Sequence, residues 1–196
     1  GGEPPAITGE WKPGPAHTFF DAVKAEFGDL PIIAEDLGVI TEGVEKLRDD
    51  YNLPGMKVLQ FAWSDPTNDF LPHNYVNNCI VYTGTHDNDT TLGWFRSRDP
   101  QLQELIRRYA GSAGQDIVWD LMRAVFMSPA RYAIVPFQDP LGLGADARMN
   151  TPGTVGGNWS WRVRAEAFNG SVSSRLRDFC RLYGRGAMTT PSGSVG

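Results

Sequence analysis

Polar and ionisable side chains follow three short apolar runs of this sequence, within about four residues of the end of each run. The pairs in question are Glu35–Asp36, His86–Asp87 and Gln138–Asp139. Glycosidic chemistry needs one carboxylic acid held neutral and a second carboxylate held ionised near the reacting carbon. Glu35 is the candidate proton donor, because burial at the end of an apolar strand would keep it neutral. Asp87 is the candidate ionised partner, since His86 and Asn88 flank it.

Two long segments without clear periodicity, residues 64–78 and 139–162, are the second group of candidates. They carry Asp65 and Asn158, and they are rich in amides and aromatic rings. Long irregular segments of compact domains are usually functional or disordered. Aromatic rings stack on sugar rings, while carboxylates and amides bond hydroxyl groups, so these segments favour a sugar ligand. Core packing is the alternative explanation for the six tryptophans.

The elements that must position these side chains alternate between strands and helices. Apolar runs predict four buried parallel strands, at residues 31–36, 56–63, 79–83 and 132–137. Apolar spacing predicts helices over 16–27, after Thr41, over 116–126, and at the end of the chain along Val172, Leu176, Phe179 and Tyr183. Alternating strands and helices about 25 residues apart indicate an α/β fold with parallel strands.

Four strands make about half of an eight-stranded barrel, so we predict the C-terminal half of a (β/α)8 TIM barrel with long active-site loops. Residues 1–188 would form this partial barrel and residues 189–196 a disordered tail. A small doubly wound domain is the alternative.

Composition excludes several classes of protein. The 196 residues carry 18 basic and 23 acidic side chains, a net charge of −5, which argues against nucleic acid as a partner. No apolar run reaches the roughly 20 residues that span a bilayer, so no membrane partner is expected. Three histidines and two distant cysteines, Cys79 and Cys180, make a metal cluster unexpected and favour reduced thiols inside a cell.

Six stretches of the chain resemble one enzyme family. They are IIAEDLGVIT (32–41), LPGMKVLQFAW (53–63), LPHNY (71–75), VYTGTHDNDTTLGW (81–94), ARMNTPGT (147–154) and GNWSWR (157–162). Together they resemble amylomaltase, the 4-α-glucanotransferase or disproportionating-enzyme family of the α-amylase clan. The resemblance implies a (β/α)8 barrel that cuts an α-1,4-glucan and passes the segment to another glucan's 4-hydroxyl through a covalent, retaining mechanism. It implies no cofactor or metal, and a cytoplasmic location, or a plastid in a plant or alga.

The resemblance also implies roles for five residues. Glu35 matches the acid/base and Asp87 the carboxylate that stabilises the transition state. His86 would contact the sugar, and Asp65 and Asn158 match positions that contact glucan.

The family's nucleophilic Asp, in an Arg-x-Asp-His-Phe-Arg-Gly stretch, matches nothing in this sequence. Its place would lie just before Gly1. We therefore expect the chain to be the C-terminal part of such an enzyme, holding two of three catalytic carboxylates and inactive alone.

Two other functions are consistent with parts of the sequence. The His86-Asp87 pair is typical of metal phosphohydrolases, although such sites need several further His or Asp ligands. A glucan-binding module without catalysis is the second alternative, because the aromatic segments alone would support it.

Overall fold

The computed structural model of the chain describes residues 9–10, 12–29, 31–112 and 115–186. The chain divides into two compact units, Gly1–Pro54 and Gly55–Gly196. Helices and three parallel strands confirm the predicted α/β class, but they form a small α/β fold and not a full barrel. The predicted tail, residues 189–196, lies outside the described residues.

The described residues of the first unit form two helices, α1 (Ala16–Phe27) and α2 (Glu42–Asp50), both at the predicted positions. Gly28 ends α1 with φ 72°, a left-handed conformation that glycine adopts without steric cost. Polar contacts join the two helices: Tyr51 Oη donates to Asp21 Oδ1 at 2.6 Å, and His17 Nε2 lies 2.8 Å from Asp50 Oδ2.

The strand predicted over residues 31–36 is not formed. Ala34 N–H donates to the Pro54 carbonyl at 2.9 Å, yet the segment is irregular. Pro31 and Pro54 have no N–H, so neither can donate a hydrogen bond to a strand ladder here. Ile33 is 45% exposed, which shows that the apolar run is not buried as expected.

The second unit is built on one parallel sheet of three strands in the order β1-β2-β3. The strands are β1 (Gly55–Val58), β2 (Cys79–Tyr82) and β3 (Tyr132–Ile134). Val58 pairs with Tyr82, and Tyr82 with Ile134, so the carboxyl ends of all three strands lie at one edge. Three of the four predicted strands are confirmed. Two of them are shorter than predicted: β1 ends before the 3-10 turn Leu59–Phe61, and β3 ends at Ile134 and not at residue 137.

The described part of this unit also has four α-helices. They are α3 (Thr91–Arg96), α4 (Pro100–Ala110), α5 (Ile117–Phe126) and α6 (Gly170–Leu182). Helices α3, α4 and α6 each contact α5. Eight of the ten residues of α5 are buried, so this helix forms the centre of the core. The tryptophans differ in burial: Trp94 and Trp119 are buried in the core, as the core-packing alternative expects, whereas Trp159 is 53% exposed.

Candidate active site

The loop after β2, residues 83–91, carries the predicted His86 and Asp87. Its first turn is closed by Asn88, whose Oδ1 accepts from Thr85 N at 2.8 Å and from Thr85 Oγ1 at 2.9 Å. Gly84 lies against the buried Gln60, and a Cβ on Gly84 would come within 2.5 Å of Gln60 Nε2. Gln60 Nε2 in turn donates to the Asp89 carbonyl at 2.9 Å, so the end of β1 supports the loop after β2.

Asp87 lies at the tip of this loop and is held from the segment 148–150. Asn150 Nδ2 donates to Asp87 Oδ1 at 2.6 Å, and Arg148 Nη2 donates to the Asp87 carbonyl at 2.7 Å. Asn150 N–H also donates to the His86 carbonyl at 3.1 Å. The Asp87 side chain remains 50% exposed, so its carboxylate is oriented by protein groups and still accessible to a ligand.

His86 and Trp159 form an exposed aromatic pair beside Asp87. Their ring centroids are 5.0 Å apart at an interplanar angle of 40°. Trp159 has a φ of 59°, which is uncommon for a residue with a side chain, and its N–H donates to the Met149 carbonyl at 2.7 Å. His86 Nε2 lies 3.3 Å from Asp87 Oδ1. An accessible carboxylate next to two exposed rings is a suitable surface for a polyhydroxylated ring.

The other two predicted ligand contacts, Asn158 and Asp65, make local turns. Asn158 Oδ1 accepts from Thr151 N at 2.9 Å, and its Nδ2 donates to Thr154 Oγ1 at 3.1 Å. Asp65 accepts hydrogen bonds from the side chain and backbone of Thr67, which lower the pKa of its carboxyl. Asn158 shapes the same loop that carries Trp159, whereas Asp65 lies on the separate loop after β1.

Glu35 belongs to the first unit, and its surroundings differ from the expectation. The residue is exposed, so the burial that was expected to keep it neutral is not observed. Its neighbour Asp36 is the buried carboxylate, and Arg48 Nη1 donates to Asp36 Oδ2 at 2.6 Å. The prediction was wrong about burial because the segment 31–36 does not enter the sheet.

Sequence reasoning gave no role to Asp139, which is 1% exposed. Its carboxylate accepts three hydrogen bonds, from Thr83 Oγ1 at 2.6 Å, Thr91 N at 2.9 Å and Thr91 Oγ1 at 2.7 Å. Burial raises the pKa of this carboxyl, and the bonds from the two threonines oppose that rise. The sequence feature that could have indicated a role for Asp139 is its position shortly after an apolar run, which it shares with Asp87.

No group of three His, Cys, Asp or Glu side chains converges as a metal site within the part of the chain that the structure describes. The same residues include no helix long and apolar enough to cross a membrane.

Comparison with known proteins gives the family. Residues 2–167 match the glycoside hydrolase family 77, described as 4-alpha-glucanotransferase. The chain belongs to this family. The 4-alpha-glucanotransferase of Synechocystis sp. is similar to it at 53% identity over 188 residues, and that of Thermus thermophilus at 47% over 183 residues. A chloroplastic or amyloplastic 4-alpha-glucanotransferase of Arabidopsis thaliana is 48% identical over 185 residues.

These alignments cover 94%, 89% and 92% of the chain but only 37%, 37% and 32% of the relatives. The chain therefore spans about a third of the length of the 4-alpha-glucanotransferases it matches. Among solved structures, the amylomaltase from Streptococcus agalactiae in complex with acarbose is similar at a TM-score of 0.89 and 38% identity. That match covers 92% of this chain and 37% of the other. The amylomaltase from Corynebacterium glutamicum, at a TM-score of 0.55 and 20% identity, shares the fold.

Proposed function

We propose that the protein that carries this chain is a 4-α-glucanotransferase acting on α-1,4-glucans. The observation that supports this most is the Asp87 carboxylate at the carboxyl edge of the parallel sheet. It is oriented by Asn150, and the exposed rings of His86 and Trp159 lie beside it. Active sites of parallel-strand barrels lie at this edge. The family and the acarbose complex of an amylomaltase relative agree with a glucan ligand.

In the proposed mechanism, Glu35 protonates the leaving 4-oxygen of the donor glucan and later accepts the proton of the acceptor's 4-hydroxyl. Asp87 stabilises positive charge on the anomeric carbon, because its carboxylate is fixed in place before the charge develops. A retaining reaction also needs a carboxylate nucleophile, about 5–5.5 Å from the acid. We propose that this nucleophile comes from residues outside the chain. His86, Asp65 and Asn158 are proposed to contact the glucan.

The described sheet would form part of a (β/α)8 barrel. In the described sheet β3 is an outer strand that pairs with β2, so the backbone groups of its other edge could pair with a further strand. Tyr132 and Ile134 of β3 are 55% and 43% exposed, and elements packed on that face of the sheet would cover them. We propose that the missing strands are supplied by the rest of the protein. We also propose an intracellular location, in the plastid for a plant or algal source, in line with the chloroplastic or amyloplastic relatives.

Exchange of the acid tests this proposal. In the complete protein, Glu35→Gln should lower the rate of glucose release from maltotriose by about 10²–10⁴-fold, which is the usual contribution of a general acid. Its affinity for acarbose, measured by calorimetry, should change little because the amide keeps the shape and polarity of the side chain.

Glu45→Gln is the matched control, since Glu45 is an exposed acid on α2 and should leave both quantities unchanged. A Glu35→Gln enzyme with wild-type rate would contradict the assigned role. A wild-type protein that binds acarbose without transferring glucose would instead support the glucan-binding module.

A further inference from the structure

Asp139 joins the two ends of the loop that carries His86 and Asp87. Thr83 follows β2 and lies directly before residues 84–90 of the loop. Thr91 is the first residue of α3 and lies directly after them. Both hydroxyls lie within 2.7 Å of the same oxygen, Asp139 Oδ2, while Thr91 N–H binds Oδ1 at 2.9 Å. All three residues are at most 1% exposed. A single carboxylate therefore fixes the separation of the two ends of residues 84–90.

Gln138, the preceding residue, holds the second segment that meets Asp87. Its Nε2 donates to the Ala147 carbonyl at 3.0 Å, and Gln138 is 6% exposed. Arg148 is the next residue after Ala147, and Asn150 is two residues further along the chain. Both of these residues bind Asp87. The adjacent side chains at 138 and 139 thus hold the two loops whose contact orients the Asp87 carboxylate.

We propose that Asp139 is a positioning residue that sets the place of Asp87 in the transfer reaction, an inference that rests on the proposed function. Asp139 is buried, and the side chains it binds are those of the buried Thr83 and Thr91, so it is not placed to contact a substrate. It would therefore affect the reaction through the position of Asp87. Asp139 is the shared acceptor of the Thr83 hydroxyl and the Thr91 N–H. Moving a catalytic group by about 1 Å can lower a rate by about 100-fold, so loss of this anchor should be visible in the kinetics.

The kinetic test uses the complete protein and a double-mutant cycle. Asp139→Asn should lower kcat for glucose release from maltotriose by about 10- to 100-fold with little change in KM. In an Asp87→Asn background, the same change should cost less than about threefold, because the residue being positioned has already lost its charge. Equal losses in the two backgrounds would overturn the proposal.

Three further variants separate positioning from stability. Asp120→Asn removes a mostly buried carboxylate of α5 that accepts from Ser112 Oγ, so it should lower Tm and leave kcat within about twofold. If Asp139→Asn does not fold, Thr83→Val and Thr83→Ser test whether the bond between Thr83 and Asp139 positions Asp87. Valine keeps the shape and removes the donor, so kcat should fall about 10-fold, whereas serine restores the donor and the rate. Equal rates in these two variants would overturn the proposal.

Hydrogen exchange of residues 84–90 distinguishes failure of this inference from failure of the proposed function. Asp139→Asn should speed exchange in these amides, while Asp120→Asn should not. If the wild-type protein transfers no glucose, the proposed function is wrong, and the exchange result still decides whether Asp139 holds the loop. Unchanged exchange would overturn the inference in either case.

Discussion

Asp87 and His86 are adjacent in the chain but differ in what they offer a ligand. Asp87 presents a carboxylate fixed by Asn150, and His86 presents a ring packed against Trp159. A fixed charge next to a developing positive charge is worth more than a neutral hydrogen bond or a ring contact. The two positions should therefore respond differently to substitution.

Asp87→Asn should lower transfer from maltotriose by about 10²–10³-fold, because it removes the stabilising charge while keeping the side-chain shape. His86→Ala should cost only about 10-fold, since it removes one polar contact and part of the aromatic surface. Asp146→Asn is the control, as Asp146 is an exposed acid in the segment before Arg148. Equal and small losses at both positions would contradict the proposed site.

The buried Asp139 should also make the free energy of unfolding depend on pH. Burial raises its folded pKa above the ordinary value of 3.8, so the folded protein keeps this proton where the unfolded chain has lost it. The resulting stabilisation is fully present below about pH 4 and is lost as the pH rises through the folded value.

We subtract the free energy of unfolding of Asp139→Asn from that of wild type, and this difference should fall as the pH rises above about 4. Urea denaturation of the complete protein at four pH values measures it, and the groups common to both proteins cancel. A difference that grows with pH would show that the hydrogen bonds from Thr83 and Thr91 outweigh burial.

Among the helices, α5 and its connection to β3 depend on one arginine beyond the end of α6. Arg185 donates to the carbonyls of Ala130 at 2.9 Å and Ser128 at 2.7 Å, and also to those of Phe126 and Val125. These carbonyls lie at the C-terminal end of α5 and in the turn that follows, where helical partners are lacking. A cation at this end also meets the negative end of the helix dipole.

Arg185→Ala should lower the free energy of unfolding by about 2–4 kcal/mol, because several carbonyls lose a charged donor. Arg181→Ala is the matched control: Arg181 is exposed in the last turn of α6, four residues before Arg185, and its loss should change stability by less than about 0.5 kcal/mol. Chemical denaturation of the complete protein measures both. Equal effects at the two positions would show that the turn does not depend on Arg185.

The elements with strong periodicity could be predicted from the sequence, and those decided by distant partners could not. Helix α1 and strand β2 match their apolar patterns within one residue. The segment 31–36 has an apolar run like that of β2, but Pro31 and Pro54 supply no N–H for a ladder. The effect of Pro54 could not be predicted, because the bond from Ala34 N–H to the Pro54 carbonyl joins residues 20 positions apart. Helix α4 was not specified, although Asp99 and Pro100 are a recognisable start, and Asp99 Oδ1 caps Leu102 N at 2.9 Å.

At the site, the sequence could indicate Asp87 and His86 because they follow a strand that forms. It could not indicate Asn150 or Arg148 as partners of Asp87. They lie 63 and 61 positions further along the chain, and contacts over such distances leave no local pattern in the sequence. The role of Asp139 was hidden for the same reason: its partners are 48 and 56 residues earlier in the chain.

The molecule as a whole should need residues outside this chain for activity. We predict that residues 1–196 expressed alone transfer no glucose from maltotriose, because a retaining reaction requires a second carboxylate close to the acid. Asp36 is bound to Arg48 and Asp139 is buried under the loop, so neither is placed to attack a sugar.

Adding the remaining part of a complete enzyme in trans should restore transfer, since outer strands such as β3 can pair with a further strand. Glucose release is measured before and after addition, with Glu35→Gln in the 196-residue chain as the control that should stay inactive. Transfer by the chain alone, abolished by Glu35→Gln, would mean that a nucleophile lies within these residues.

The bond between Thr83 and Asp139 also sets an order of events during synthesis. The two residues are 56 positions apart, and ribosomes add about 5–20 residues per second, so roughly 3–11 seconds separate their appearance. For that interval the newly made loop lacks the carboxylate that fixes its two ends. The loop of Asp87 is therefore synthesised before the residue that anchors it. Codons that slow translation between positions 83 and 139 would lengthen the time during which the loop lacks this anchor.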